Sequence, residues 1–187
     1  MKTISKQSGF TLIELMATLG TAAMMLAVAI PSYRSFTLNN RLVAEFNTFT
    51  SALKFARSEA IRRNVNVTIC TSADGLSCGT SANWDDGWVI CVEVDCGTEV
   101  LRVGDALSAT YRLSSSSSFA SNRQVTFSAD GTLANDDGRG AFTLCDSRGA
   151  SNAKVIIMNA IGRTQRGYDD DDDGIIDDHD GVNAVCP

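Results

Sequence analysis

Hydrophobic and polar positions change rhythm twice along this chain. Residues 10–30, FTLIELMATLGTAAMMLAVAI, form an apolar run broken by a single charge, Glu14. Twenty-one helical residues at about 1.5 Å each span about 30 Å, the thickness of a hydrocarbon core. The run therefore predicts a membrane helix. After Pro31 the pattern turns amphipathic: Leu42, Phe46, Phe49, Leu53, Ala56 and Ala60 follow spacings of 4, 3, 4, 3 and 4, one apolar stripe of a helix over residues 31–63. Arg41 with Glu45 and Glu59 with Arg63 are i,i+4 pairs that support its exposed face. Beyond Asn64 the period shortens. VNVTIC, GWVICVEV, EVLRV, RQVTFS, AFTLC and AKVIIMNAI are β-branched runs bounded by Gly, Asp, Asn or Ser, and predict strands. The five serines from Ser114 to Ser118 are expected in a surface loop. The expected fold is α+β: one long N-terminal helix, membrane-embedded in its first half, packed on an antiparallel β-sheet head over residues 64–187.

Composition adds an export direction and an uneven charge. The length of 187 residues fits one ordinary domain plus an anchor, and 44% hydrophobic residues can fill its core. Net charge is -6, yet residues 169–180 hold eight of the acids, which leaves sixteen bases against fourteen acids elsewhere. The second part of the helix is locally basic, with Arg34, Arg41, Lys54, Arg57, Arg62 and Arg63 against two acids. Lys2 and Lys6 precede the apolar run, so the short N-terminus is expected in the cytoplasm and the head outside it. Pro31, Ser32, Tyr33 and Arg34 follow the run, which is no small-residue cleavage site, so the helix should be retained. With one histidine, no nucleophile beside a recognisable base and no phosphate-cradling glycine loop, the sequence argues against an enzyme.

Glu14 then needs a partner, because an ionised carboxylate in a membrane helix is costly unless paired. No Lys or Arg lies within residues 10–30. A chain cut between Gly9 and Phe10 would supply the free amine of Phe10. GFTLIELM, after a short basic leader ending in Gly9, resembles the N-terminal signature of type IV pilins and pseudopilins. The resemblance implies a leader of residues 1–9, a prepilin peptidase that cuts after Gly9 and methylates Phe10, and Glu14 facing the Phe10 amine of a neighbouring subunit during assembly. Pro31 falls where many pilins carry a proline. In the head, ARSEAIRRNVNVTIC, WDDGWVICVEVD, FTLCDSRG and GRTQRG are similar to the minor pilin and pseudopilin group called GspH/FimT, which includes FimU. That likeness implies an inner-membrane-anchored minor pilin that helps initiate type IV pili, with other minor and major pilins as partners and a periplasmic head that joins the fibre. The alternative is a tip pseudopilin of the type II secretion system. Some members of the group are associated with DNA uptake through C-terminal arginines, which makes Arg163 and Arg166, with Lys154 and Arg148 beside them, the candidates for DNA contact.

Six cysteines, Cys70, Cys78, Cys91, Cys96, Cys145 and Cys186, contain no CxxC pair and have no histidine nearby, which favours disulfides over zinc in an oxidising compartment. Six cysteines allow fifteen connectivities. Short spacings favour Cys70 with Cys78 and Cys91 with Cys96, leaving Cys145 with Cys186.

The acidic segment DDDDDGIIDDHDG fits a calcium-loop spacing: Asp169, Asp171 and Asp173, then the turn at Gly174, a carbonyl at Ile175, Asp177 at the ninth place and Asp180 at the twelfth. Asp180 replaces the usual bidentate glutamate, which resembles dockerin-type loops. A plain run of charge would have no reason to place Gly174 and Ile176 at those steps, so calcium is favoured over a solvated tail. His179 is expected to face solvent without a role.

Overall fold

The computed structural model describes residues 9–81, 83–93, 96–97, 99–116, 119, 123–134 and 139–186. Of the leader, only Gly9 falls within them. The chain divides into two compact units, Met1–Asn40 and Arg41–Pro187. A single helix, α1 (Leu12–Arg63), contributes residues to both and continues through Pro31. Proline lacks the N–H that would bond the Ala27 carbonyl, so one helical hydrogen bond is absent there.

In the first unit the helix is long and apolar enough to cross a membrane. Leu12, Ile13, Met16, Leu19, Met24, Met25 and Val28 all lie exposed along it. Such a surface is soluble only against lipid or other apolar helices.

In the second unit α1 behaves as a core helix. Leu42, Phe49, Leu53, Ala56 and Ala60 are buried, as their spacing requires, together with Ala52. Phe46, the remaining stripe residue, is half-buried, with the Arg166 guanidinium 5.8 Å from its ring centre. The Glu59–Arg63 pair forms at 2.7 Å, and Glu59 also takes Arg62 at 2.6 Å. Hydrogen bonds from Arg62 and then Arg63 hold the Glu59 carboxyl down at about 2. Arg63 reaches on to Glu99 at 2.8 Å and so pins the helix end to the sheet. Arg41 and Glu45 form no ion pair among the described residues; an exposed pair gains too little to hold two long side chains in place. The helix stops at Asn64, whose left-handed φ of 56° lets Val65 N–H reach the Ala60 carbonyl at 3.3 Å.

Among the described residues, the strands form two four-stranded antiparallel sheets. The first contains β1 (Val67–Thr71), β2 (Trp88–Val92), β3 (Glu99–Gly104) and β5 (Gln124–Phe127), in the order β3-β2-β1-β5. The second contains β4 (Arg112–Ser115), β6 (Gly140–Cys145), β7 (Lys154–Met158) and β8 (Thr164–Arg166), in the order β4-β6-β7-β8. Phe49 joins the helix to both, with its ring edge-on to Trp84, Trp88 and Phe142. Six strands coincide with the β-branched runs. β4 corrects the expectation of a serine loop at Ser114 and Ser115, which pair with Thr143 and Phe142; Ser117 and Ser118 lie outside the described residues. Serine is a weak strand former, and here its partner strand decides the conformation.

Both sheets are covered on the face away from Phe49. Behind the first sheet, Cys70, Val89, Cys91, Cys96 and Cys78 pack together. Behind the second, the C-terminal segment lays Ile175, Ile176, Ala184 and Cys186 over Ala141, Ala153 and Val155. Burial on both faces explains why GWVIC and KVIIM are continuous apolar runs instead of alternating ones.

Candidate functional site

Three groups of residues carry the chemistry anticipated from sequence. At the N-terminal group, Thr11 and Glu14 form a capping box: Glu14 N–H donates to Thr11 Oγ1 at 3.3 Å, and Thr11 N–H donates to Glu14 Oε2 at 3.4 Å. The TLIE spacing carried this signal, and sequence reasoning passed over it. Within the single chain the carboxylate thus has a local partner at the first turn of α1. Gly9 has nothing within 4 Å of where a Cβ would sit, so packing does not demand glycine there.

The second group is basic. Arg163 lines a cavity of about 370 Å³ together with Lys54 and Arg57 of α1. Arg57 Nε donates to the Gly131 carbonyl at 2.9 Å, which fixes that guanidinium. Arg166 is drawn away to the Phe46 ring. Arg148 is held in an ion pair with Asp146 at 2.6 Å. Lys154 is pushed down by burial first, and then by the charges of Arg166 and Arg148. Lys154 thus lies within electrostatic reach of Arg148 and Arg166, whereas Arg163 is grouped with helix residues that sequence reasoning had not assigned to it.

The third group is the acidic segment. Carboxylate oxygens of Asp169, Asp171 and Asp177 lie within 4.8 Å of one another. Asp173 turns instead to Asn183, whose Nδ2 donates to Oδ2 at 2.5 Å, and to the Ile175 N–H at 2.8 Å. Asp180 lies against His179 Nε2 at 3.2 Å. His179 corrects another expectation: its side chain is only 6% exposed, because the turn folds it between Asp178 and Asp180. Loss of solvent first, and then the charges of Asp173, Asp177 and Asp169, push the Asp171 carboxyl up from its ordinary value, against a lowering hydrogen bond from the Asp173 N–H.

Gly167 lets this segment lie close to the sheet. A Cβ there would meet the Asp177 carbonyl, Ile176 Cγ2 and Val155 Cβ, each at 2.8 Å.

The cysteines form the disulfides Cys70–Cys78, Cys91–Cys96 and Cys145–Cys186. The first two lie side by side, with the Cys78 and Cys96 sulfurs 3.3 Å apart. Four sulfurs thus share one spot, but as disulfides they offer no thiolate to a metal.

With this architecture in place, the family model described as type II transport protein GspH matches residues 45–162. The chain belongs to the GspH family. The fold is similar to that of the Pseudomonas aeruginosa (strain PAO1) type IV minor pilin FimU in space group P21, with 25% identity and a TM-score of 0.56 over 70% of this chain and 91% of that chain. A second FimU crystal form, P65, gives 22% identity and a TM-score of 0.51 over 64% and 87%. The minor pseudopilin EpsH from the Type 2 Secretion System of Vibrio cholerae is matched at 8% identity and a TM-score of 0.43, over 64% and 90%. The protein is thus a type IV pilin-like member of the GspH/FimT group. The GspH match runs from Glu45 in α1 through β7; Arg163 and the acidic segment lie beyond it.

Proposed function

We propose that this chain is a minor pilin of the type IV pilus, an inner-membrane-anchored structural subunit that helps initiate pilus assembly and then joins the fibre. The observation that carries the reading is the exposed apolar half of α1, which GFTLIELM leads into and which is joined to a GspH head. An apolar helix of this length is held by lipid before assembly and by neighbouring helices after it. The likeness to FimU, a type IV minor pilin, favours the pilus over a secretion pseudopilus. In this reading a prepilin peptidase cuts after Gly9, and Glu14 leaves its capping contact with Thr11 to meet the new amine of a neighbour's Phe10. Exchanging a neutral cap for a cation at the same depth offsets the cost of the carboxylate in lipid. The test is the number of surface pili on cells lacking the gene. Pili should disappear, return with the intact copy, and fail to return with Glu14→Ala. Normal pili without the gene would reject the assembly role.

A second reading, DNA capture, is favoured by the meeting of Lys54, Arg57 and Arg163 at one cavity. Contacts of this kind address phosphates and are salt-dependent. Binding of duplex DNA should weaken at least tenfold between about 50 and 200 mM salt, and in a Lys54→Ala, Arg163→Ala variant. Absence of binding at low salt would sink it.

A further inference from the structure

The acidic segment holds a charge that the protein itself does not satisfy. Asp177 is 2% exposed, and its Oδ2 accepts the Asp170 N–H at 2.7 Å. Its Oδ1 is buried and has no hydrogen-bond partner among the described residues. The carboxylate that carries this orphan oxygen is the one grouped with Asp169 and Asp171. No Lys or Arg forms an ion pair with any of the three among the described residues. An unpaired buried carboxylate costs several kcal/mol in real proteins. A cation would satisfy the orphan oxygen and the neighbouring carboxylates together.

We infer that Asp169, Asp171 and Asp177 form a calcium site that fastens the C-terminal segment to the outer face of the second sheet. The donors are all oxygen, which selects a hard cation. Oxygens held at 2.3–2.6 Å from one ion lie at most about 5 Å apart, and the three carboxylates already meet that limit. Three carboxylates on a flexible turn suit calcium, which takes six to eight oxygens in adaptable geometry and completes its shell with carbonyls and water. Magnesium requires a tighter octahedron. Asp173 and Asp180, engaged by Asn183 and His179, are left out of the ligand set. Asp177 is the residue that couples the ion to the fold. It bridges to Asn183, and its neighbour Ile176 packs with Ala184 and Val155 in the apolar layer closed by Cys186.

The site can be probed on the purified full chain in detergent micelles. Tyr168 precedes Asp169 and is exposed, so it can sensitise luminescence from terbium used as a calcium substitute. Saturable terbium emission should be displaced by calcium with a Kd on the order of 10⁻⁴–10⁻³ M, and far less readily by magnesium. Calcium at about 10 mM should raise the Tm by roughly 5–10 °C. Asp169→Asn, Asp171→Asn, an exposed or half-exposed pair that should still fold, is expected to remove both responses. Asp177→Asn should do the same wherever it folds. No calcium response up to about 10 mM, equal displacement by magnesium, or responses kept in the Asp169→Asn, Asp171→Asn protein would each overturn the assignment.

Discussion

Phe49→Ala is expected to cost the head about 3–5 kcal/mol, more than any other single truncation on the helix. Phe49 is 3% exposed, and its ring centre lies 5.6 Å from Trp84, 6.1 Å from Trp88 and 4.8 Å from Phe142. All three contacts are edge-on, the arrangement in which an aromatic pair gains about 0.5–1.5 kcal/mol beyond its buried area. The partners come from both sheets, so truncation leaves a cavity where helix and sheets meet and none of the three can fill it by moving alone. At about 2–4 °C per kcal/mol for a chain of this size, Tm should fall by roughly 6–20 °C. Phe46→Ala, on the same stripe but half-buried, should cost much less. Urea unfolding of the two variants makes the comparison, and a Phe49→Ala loss below about 1 kcal/mol would show that the helix does not organise the head as described.

Opening the Cys145–Cys186 bridge ranks second. The bond closes 41 residues, and loop-closure entropy assigns a loop of that length about 4 kcal/mol, against about 2 for the five-residue Cys91–Cys96 loop. The larger effect also has a packing cause. Without the bridge, the segment bearing Ile175, Ile176 and Ala184 is free to lift off Ala141, Ala153 and Val155. Cys145→Ser, Cys186→Ser should therefore lose both global stability and hydrogen-exchange protection at Ala184, whose N–H donates to the Ile176 carbonyl, while Thr68 and Ile69 in β1 keep theirs relative to the global value. A loss no larger than that of Cys91→Ser, Cys96→Ser would contradict this account of the C-terminal segment.

Most of the fold was legible because it rests on local patterning. The 4, 3, 4, 3, 4 spacing from Leu42 to Ala60 needs only helix geometry, and the β-branched runs needed only a place to be buried. β8 was not legible. Thr164, Gln165 and Arg166 carry no strand-like run, and they are a strand because Met158, Ile157 and Ile156 offer them a ladder. The division into two sheets was likewise hidden, since it depends on Phe49 meeting Trp88 on one sheet and Phe142 on the other. At the sites, GFTLIELM stood out in sequence because the membrane makes a lone carboxylate conspicuous. The acidic spacing identified six possible ligands but not which three converge, since Asn183 and His179 compete for Asp173 and Asp180 only after the chain has turned. The grouping of Arg163 with Lys54 and Arg57 joins residues over a hundred positions apart, beyond any local pattern.

The central claim is that the chain is a processed subunit of a pilus fibre. Its most direct test is mass spectrometry of the N-terminal peptide of this chain in pili sheared from the cell surface. The account expects a peptide beginning at N-methylated Phe10, with Gly9 and all that precedes it removed. A chain that still begins at Met1, or that is absent from sheared pili while present in the membrane, would contradict it.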